Sequence, residues 1–224
     1  MSNWVSIVVL IGIVLAVALL RERWRMSGLE SLAKAKGLAR LFPVPDGGPQ
    51  PAGALVSQLT IRGARIWGMV LTGTLDGVPV TIAEHESSEP GLKNNVWSTV
   101  VTWPVAGASG KIVMRRGRGS DIVAEAVAAV IDPVKRAVAD AVGLPARPEQ
   151  QTMETPGGWA VTGEPIDRDR WLTPERTRQL DAWAQDASFA RQDGYAAWRF
   201  RENLTADTLT RVLEQWPAAR RLME

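Results

Sequence analysis

Among its 224 residues the chain has no cysteine, one histidine, one tyrosine and three phenylalanines. The missing cysteines exclude disulfides, thiolate metal sites and cysteine nucleophiles, and they agree with a reducing compartment. With a single histidine, any Ser-His-Asp arrangement would have to rest on His85. The segment "IAEHESSE" places Glu84, His85, Glu86 and Ser87 in succession. On a strand end such neighbours alternate between faces and do not converge on one substrate atom, so an exposed polar strand end is expected there. No carboxylates stand at ligand spacing, and the sequence calls for no metal or cofactor.

Charge is the next thing missing. The first twenty residues carry none, and from Trp4 to Leu20 all seventeen are apolar or small, with Ser6 the only hydroxyl. A helix of that length rises about 26 Å, most of a hydrocarbon core. Ala16-Val17-Ala18 has the form of a cleavage site, but no basic residue precedes the run, and a cut there would fall inside it. We therefore read residues 1–26 as a retained transmembrane anchor with a basic flank.

Arg21, Arg23 and Arg25 follow the run directly, then Lys34, Lys36 and Arg40. By the positive-inside bias this places the N-terminus outside and the bulk of the chain in the cytoplasm, on the inner membrane of a bacterium. Trp4 and Trp24 stand near the two ends, where indoles favour headgroups. The three arginines are candidate contacts for lipid headgroups. Gly12 and Ala16, four apart, are candidates for a close helix–helix contact.

Beyond the anchor the chain is foldable: 46% of all residues are hydrophobic and charges of both signs are mixed. A net charge of +2 is too small to call for nucleic acid. The ten tryptophans suit core packing and interface anchoring better than a base-stacking platform.

The spacing predicts that a helix continues through 27–41, with Leu29, Leu32, Ala33 and Leu38 roughly on one face. "FPVPDGGPQPAGA" then reads as a linker, so that 27–52 forms a juxtamembrane helix and linker and 53–224 a cytoplasmic domain. That domain opens with strand-like stretches. "LVSQLTIRG" alternates weakly; two strands flank Asp76-Gly77; "NNVWSTVVTWPV" and "GKIVMRRG" follow. Short consecutive strands without intervening helices imply an antiparallel sheet.

Residues 120–142 switch to a helical period, with a break at Asp132-Pro133. "GGWAVTGEP" offers another strand and "LTPERTRQLDAWAQDA" a helix capped by Thr173. A hairpin about Asp193-Gly194 and a closing helix, facing the body through Leu209, Val212, Leu213 and Trp216, complete the chain. The fold class expected is α+β: an N-terminal transmembrane helix, then an antiparallel sheet with packed helices.

The segments "LTGTLDGVPVTIAEHES", "WSTVVTWPV" and "WAVTGEPIDRDRWLTPERTRQLDAWA" resemble in layout a group of bacterial single-pass, membrane-anchored α+β proteins. The helix-rich "SDIVAEAVAAVIDPVKRAVADAVG" departs from that group. The group has no established activity, so the resemblance implies architecture alone.

One loop has the chemistry of an anion site. In "MRRGRGSD", Arg115, Arg116 and Arg118 with two glycines precede a helix expected to start at Ser120, and backbone amides with guanidinium groups can hold a phosphate. The Walker lysine and the dinucleotide glycine spacing are both missing. The competing reading is a solvated loop whose arginines protect an edge strand.

With no catalytic set, the expected function is that of a non-enzymatic accessory or interaction protein, which presents its domain to a membrane complex. The partners are membrane lipid and a membrane protein or complex. The alternative is a tethered domain that binds an anionic ligand or headgroup through the arginine-rich loop.

Overall fold

The computed structural model describes residues 2–41, 65–87, 96–107, 110–116, 151–183 and 187–224. The linker, the strand expected at 55–63 and the helices expected at 120–142 lie outside them, as do Arg118 and Ser120.

Among the described residues the fold is α+β, built on a nine-stranded sheet in which every pairing is antiparallel. The strands are β1 (Ala39–Leu41), β2 (Arg65–Leu75), β3 (Val78–Ser87), β4 (Val96–Pro104), β5 (Ile112–Arg116), β6 (Gln151–Glu154), β7 (Trp159–Gly163), β8 (Ala187–Gln192) and β9 (Tyr195–Phe200). Across the sheet they run β1-β2-β3-β4-β9-β8-β5-β7-β6. Chain neighbours pair in β1–β2, β2–β3, β3–β4, β6–β7 and β8–β9, whereas β9 sits beside β4 and β5 lies between β8 and β7.

The β2–β3 and β8–β9 hairpins turn on Asp-Gly. Asp76 and Gly77 have φ of 49° and 77°, Asp193 and Gly194 of 52° and 80°. Positive φ at both central residues matches the right-handed twist of the flanking strands, which is why this dipeptide makes tight hairpins.

Among the described residues the helices are α1 (Ser2–Ala35), α2 (Pro165–Trp171), α3 (Pro174–Asp181) and α4 (Ala206–Met223). Thr173 caps α3 by accepting the Arg176 amide at 3.3 Å, as the Thr-Pro-Glu start predicts, and Thr205 caps α4 through Thr208. The second half of α1, α2, α3 and α4 cover one face of the sheet. There Leu29, Ala33, Trp171, Leu180, Leu209, Val212 and Trp216 bury against Leu71, Ile82, Val101, Met114, Val161 and Trp198. Strand alternation sends Val100, Val113, Ala190 and Ala197 to the opposite face, where they form a smaller buried cluster.

The tryptophans are mostly core. Trp103 and Trp216 meet edge to face at 5.2 Å, joining β4 to α4. Trp183 meets Phe189 and Trp198 in the same way, at 5.1 and 5.3 Å.

The helix expected through residue 41 stops earlier. Gly37, at φ 73°, ends α1: its amide bonds to the Lys34 carbonyl at 3.1 Å and that of Leu38 to the Ala33 carbonyl at 2.9 Å. This is a Schellman cap, and Leu38 and Ala33 are buried in the same apolar cluster. Residues 39–41, freed from the helix, pair instead with Val70–Thr72 of β2.

Among the described residues no helix is long and apolar enough to cross a membrane. The side chains of residues 5, 6 and 18 are outside the description, and the continuous described apolar stretch of α1 runs from Ile7 to Val17.

Candidate functional site: the α1 helix and its dock on the sheet

The two halves of α1 meet different surroundings. Its second half is folded into the domain, with Leu29, Ala33 and Leu38 buried and Met26 and Leu32 packed beside them. In its first half the described side chains are bare. Trp4, Ile7, Val8, Leu10, Val14 and Leu19 are among a dozen large apolar side chains there that stand exposed, Trp4 at 77% and Leu19 at 71%. They surround the helix, since Val8, Val9, Leu10 and Ile11 point in successive directions at about 100° per residue. Gly12 and Ala16 share one side of this cylinder, and an added Cβ at Gly12 would meet nothing within 4 Å.

The halves divide at Arg25. Its Nη1 donates to Glu84 Oε1 at 3.2 Å and to the Leu204 carbonyl at 2.9 Å, while Nε and Nη2 donate to Glu22 at 3.0 and 2.6 Å. Glu84 is 2% exposed and also accepts the Leu204 amide at 3.3 Å. The Glu22 hydrogen bond, supported by the charge and hydrogen bond of Glu84, raises the Arg25 pKa against its partial burial. Burying the carboxylate costs several kcal/mol unless it is paired and hydrogen-bonded. Here both conditions are met, and the result joins α1, β3 and the β9–α4 turn at one point.

This corrects the reading of "IAEHES" as an exposed strand end. The expected alternation of faces holds, for Glu84 pairs in register with Thr99 on the helix-covered face and His85 with Ser98 on the opposite one. Both are nevertheless buried, each 2% exposed. Among the described residues His85 Nδ1 has no hydrogen-bond partner, and burial, with the nearby Arg199 guanidinium, lowers its pKa from 6.5 to about 4. The ring is neutral at pH 7. Arg199 donates through Nε to Ser98 Oγ at 3.1 Å.

The sequence candidates separate in space. Arg115 and Arg116 end β5 on opposite faces: Arg115 pairs in register with Ser188 and Ala160, while Arg116 Nη1 donates to the Trp183 carbonyl at 2.6 Å. Arg23 is exposed on α1, and Arg25 is held by Glu22 and Glu84. The side chain of Arg21 is outside the description. The sequence suggests neither the Leu204 backbone as a site nor Glu84 as more than part of an exposed strand end. The available signal was an acid within a β-branched run, a position where a carboxylate needs a partner. Among the described residues no group of three His, Asp or Glu side chains could hold a metal ion.

No protein-family model matches the chain, and no curated protein matches it. One solved structure similar to it is that of the mycobacterial trehalose monomycolate transport factor A. The TM-score is 0.48 at 13% identity, over 87% of this chain and 93% of that one. A likeness of that size carries no functional argument.

Proposed function

We propose that α1 anchors the chain in a membrane as a single pass, N-terminus out, and that the sheet domain serves there as a non-enzymatic accessory subunit of a membrane complex. The observation that carries this is the bare apolar cylinder of α1 next to a well-packed domain. Soluble monomers do not expose contiguous apolar surface of this extent. Taking about a dozen half-exposed aliphatic side chains out of water is worth on the order of 10 kcal/mol, enough to drive insertion or burial against a partner. The continuous apolar sequence from Trp4 to Leu20, its arginine flank and the positive-inside bias favour a bilayer with the domain on the cytoplasmic side.

The accessory role is tested by purifying the full chain, tagged at its C-terminus, from native membranes beside a variant that starts at Arg21. A membrane protein recovered in stoichiometric amount with the full chain and absent from the shortened one supports the reading. Equal recovery by both, or recovery of no partner, removes it.

A further inference from the structure

We infer that α1 does more than tether the domain: it holds the sheet in one orientation, with the end bearing Glu84, Phe200 and the β9–α4 turn against the headgroup layer. This rests on the reading of α1 as a membrane anchor. A tether that leaves its domain free needs a flexible segment between the two, and here there is none. One uninterrupted helix carries both the bare half and the docked half.

The docked half is fixed at two levels of the sheet. At the upper level Arg25 binds Glu84 and Leu204. At the lower level the end of α1 presses on β2, where a Cβ on Gly73 would lie 2.6 Å from the Gly37 carbonyl and 2.9 Å from Leu38. Between them Leu29 and Ala33 are buried in the core. Two separated attachments and an apolar stripe leave the helix no freedom to swivel on the domain.

Strand direction then settles which end faces which way. Ser87 ends β3, Val96 begins β4, Arg116 ends β5, Ala187 begins β8 and Phe200 ends β9, all at the upper level by register. The turns at Asp76-Gly77 and Asp193-Gly194 and the end of β4 lie at the other. α4 runs away from α1's exit in the same sense, from Leu204 beside Arg25 down to Arg220, which reaches the Asp76 carbonyl.

Arg25 stands five positions beyond Leu20, the last of the apolar run, a rise of about 8 Å. The upper rim is therefore within about a Debye length of the headgroups. It carries Arg23, Arg201, Asn203, the Glu202–Arg211 pair and the β5 end with Arg115 and Arg116. Arg23 from the juxtamembrane segment and Arg115 and Arg116 from β5, although on different faces, thus lie towards the same membrane-facing end, where anionic lipid attracts basic side chains.

The absence of cysteine makes a direct test possible. Asn203→Cys on the rim and Ala106→Cys at the far end, both at exposed positions, accept one fluorophore each. By register Phe200 lies opposite Thr99, and the seven residues from Thr99 to Ala106 span about 20–25 Å. The full chain is reconstituted into phosphatidylcholine vesicles that contain a headgroup-labelled acceptor lipid, and energy transfer is read for each label. The expected result is several-fold stronger transfer from position 203 than from 106. Insertion of Gly-Gly-Ser-Gly-Gly-Ser between Arg23 and Trp24 should make the two equal while the chain still floats with the vesicles. Equal transfer without the insertion, or stronger transfer from 106, overturns the inference although the anchor stands. A chain that does not float with vesicles at all overturns the anchor and the orientation together.

Discussion

Arg25 and Glu84, 59 residues apart in the chain, meet at 3.2 Å where the bare half of α1 gives way to its docked half. Glu84 is enclosed by that guanidinium and the Leu204 amide, so removal of either side chain leaves a charge or a backbone group without its partner. Arg25 keeps Glu22 and some water, which places the cost at the lower end for a buried pair. Glu84→Ala should destabilise the domain by about 2–4 kcal/mol and lower Tm by roughly 5–15 °C. A double-mutant cycle with Arg25→Ala, read by thermal denaturation, should show that the two losses are far from additive.

Stability should depend on pH through His85. Its folded pKa, about 4, lies below the unfolded value of 6.5, so the unfolded chain binds the proton more readily. Above pH 6.5 both states are neutral and the full stability is present. As pH falls from 6.5 towards 4 the unfolded state gains protons first, and roughly 3 kcal/mol is lost across that window. Denaturant titrations at several pH values should show this slope, and His85→Gln should flatten it.

Two glycines near the dock should respond differently. Gly73→Ala sets a methyl against the Gly37 carbonyl and Leu38, and it should cost about 1–3 kcal/mol by forcing the end of α1 off β2. Gly37→Ala meets nothing within 4 Å but must hold φ at 73°, which costs about 1 kcal/mol. Limited proteolysis should find the α1–β1 junction opened in the first variant far more than in the second.

Tryptophans in the two regions should divide by role. Trp216→Ala removes a buried ring packed on Trp103 and should cost about 3–5 kcal/mol in thermal denaturation. Trp4→Ala, at an exposed site outside the domain, should leave Tm unchanged and weaken vesicle partitioning.

Much of this fold was legible because local chemistry and final structure agree. Asp76-Gly77 and Asp193-Gly194 can adopt the positive φ that a two-residue hairpin demands, and Thr173-Pro174-Glu175 begins a helix whatever lies around it. The apolar spacing of Leu209, Val212, Leu213 and Trp216 found α4 for the same reason. What escaped depends on distant partners. β1 exists because Gly37 turns residues 39–41 towards β2, and the placement of β9 beside β4 is carried by no local pattern. β6 was missed for want of apolar alternation in Gln151–Glu154, and α2 because seven residues hold too little periodicity. Glu84 and His85 looked exposed because they are polar. The β9–α4 turn and Arg25, far away in sequence, make one buried carboxylate acceptable, and burial keeps the imidazole neutral. Arg115 and Arg116 stand side by side in sequence, but strand alternation turns them to opposite faces.

The central claim is that α1 resides in the bilayer. It is tested most directly by alkaline carbonate extraction of membranes that contain the full chain or the variant beginning at Arg21. The full chain should stay in the membrane pellet and the shortened chain should be released to the supernatant. Release of the full chain, or retention of both, would contradict it.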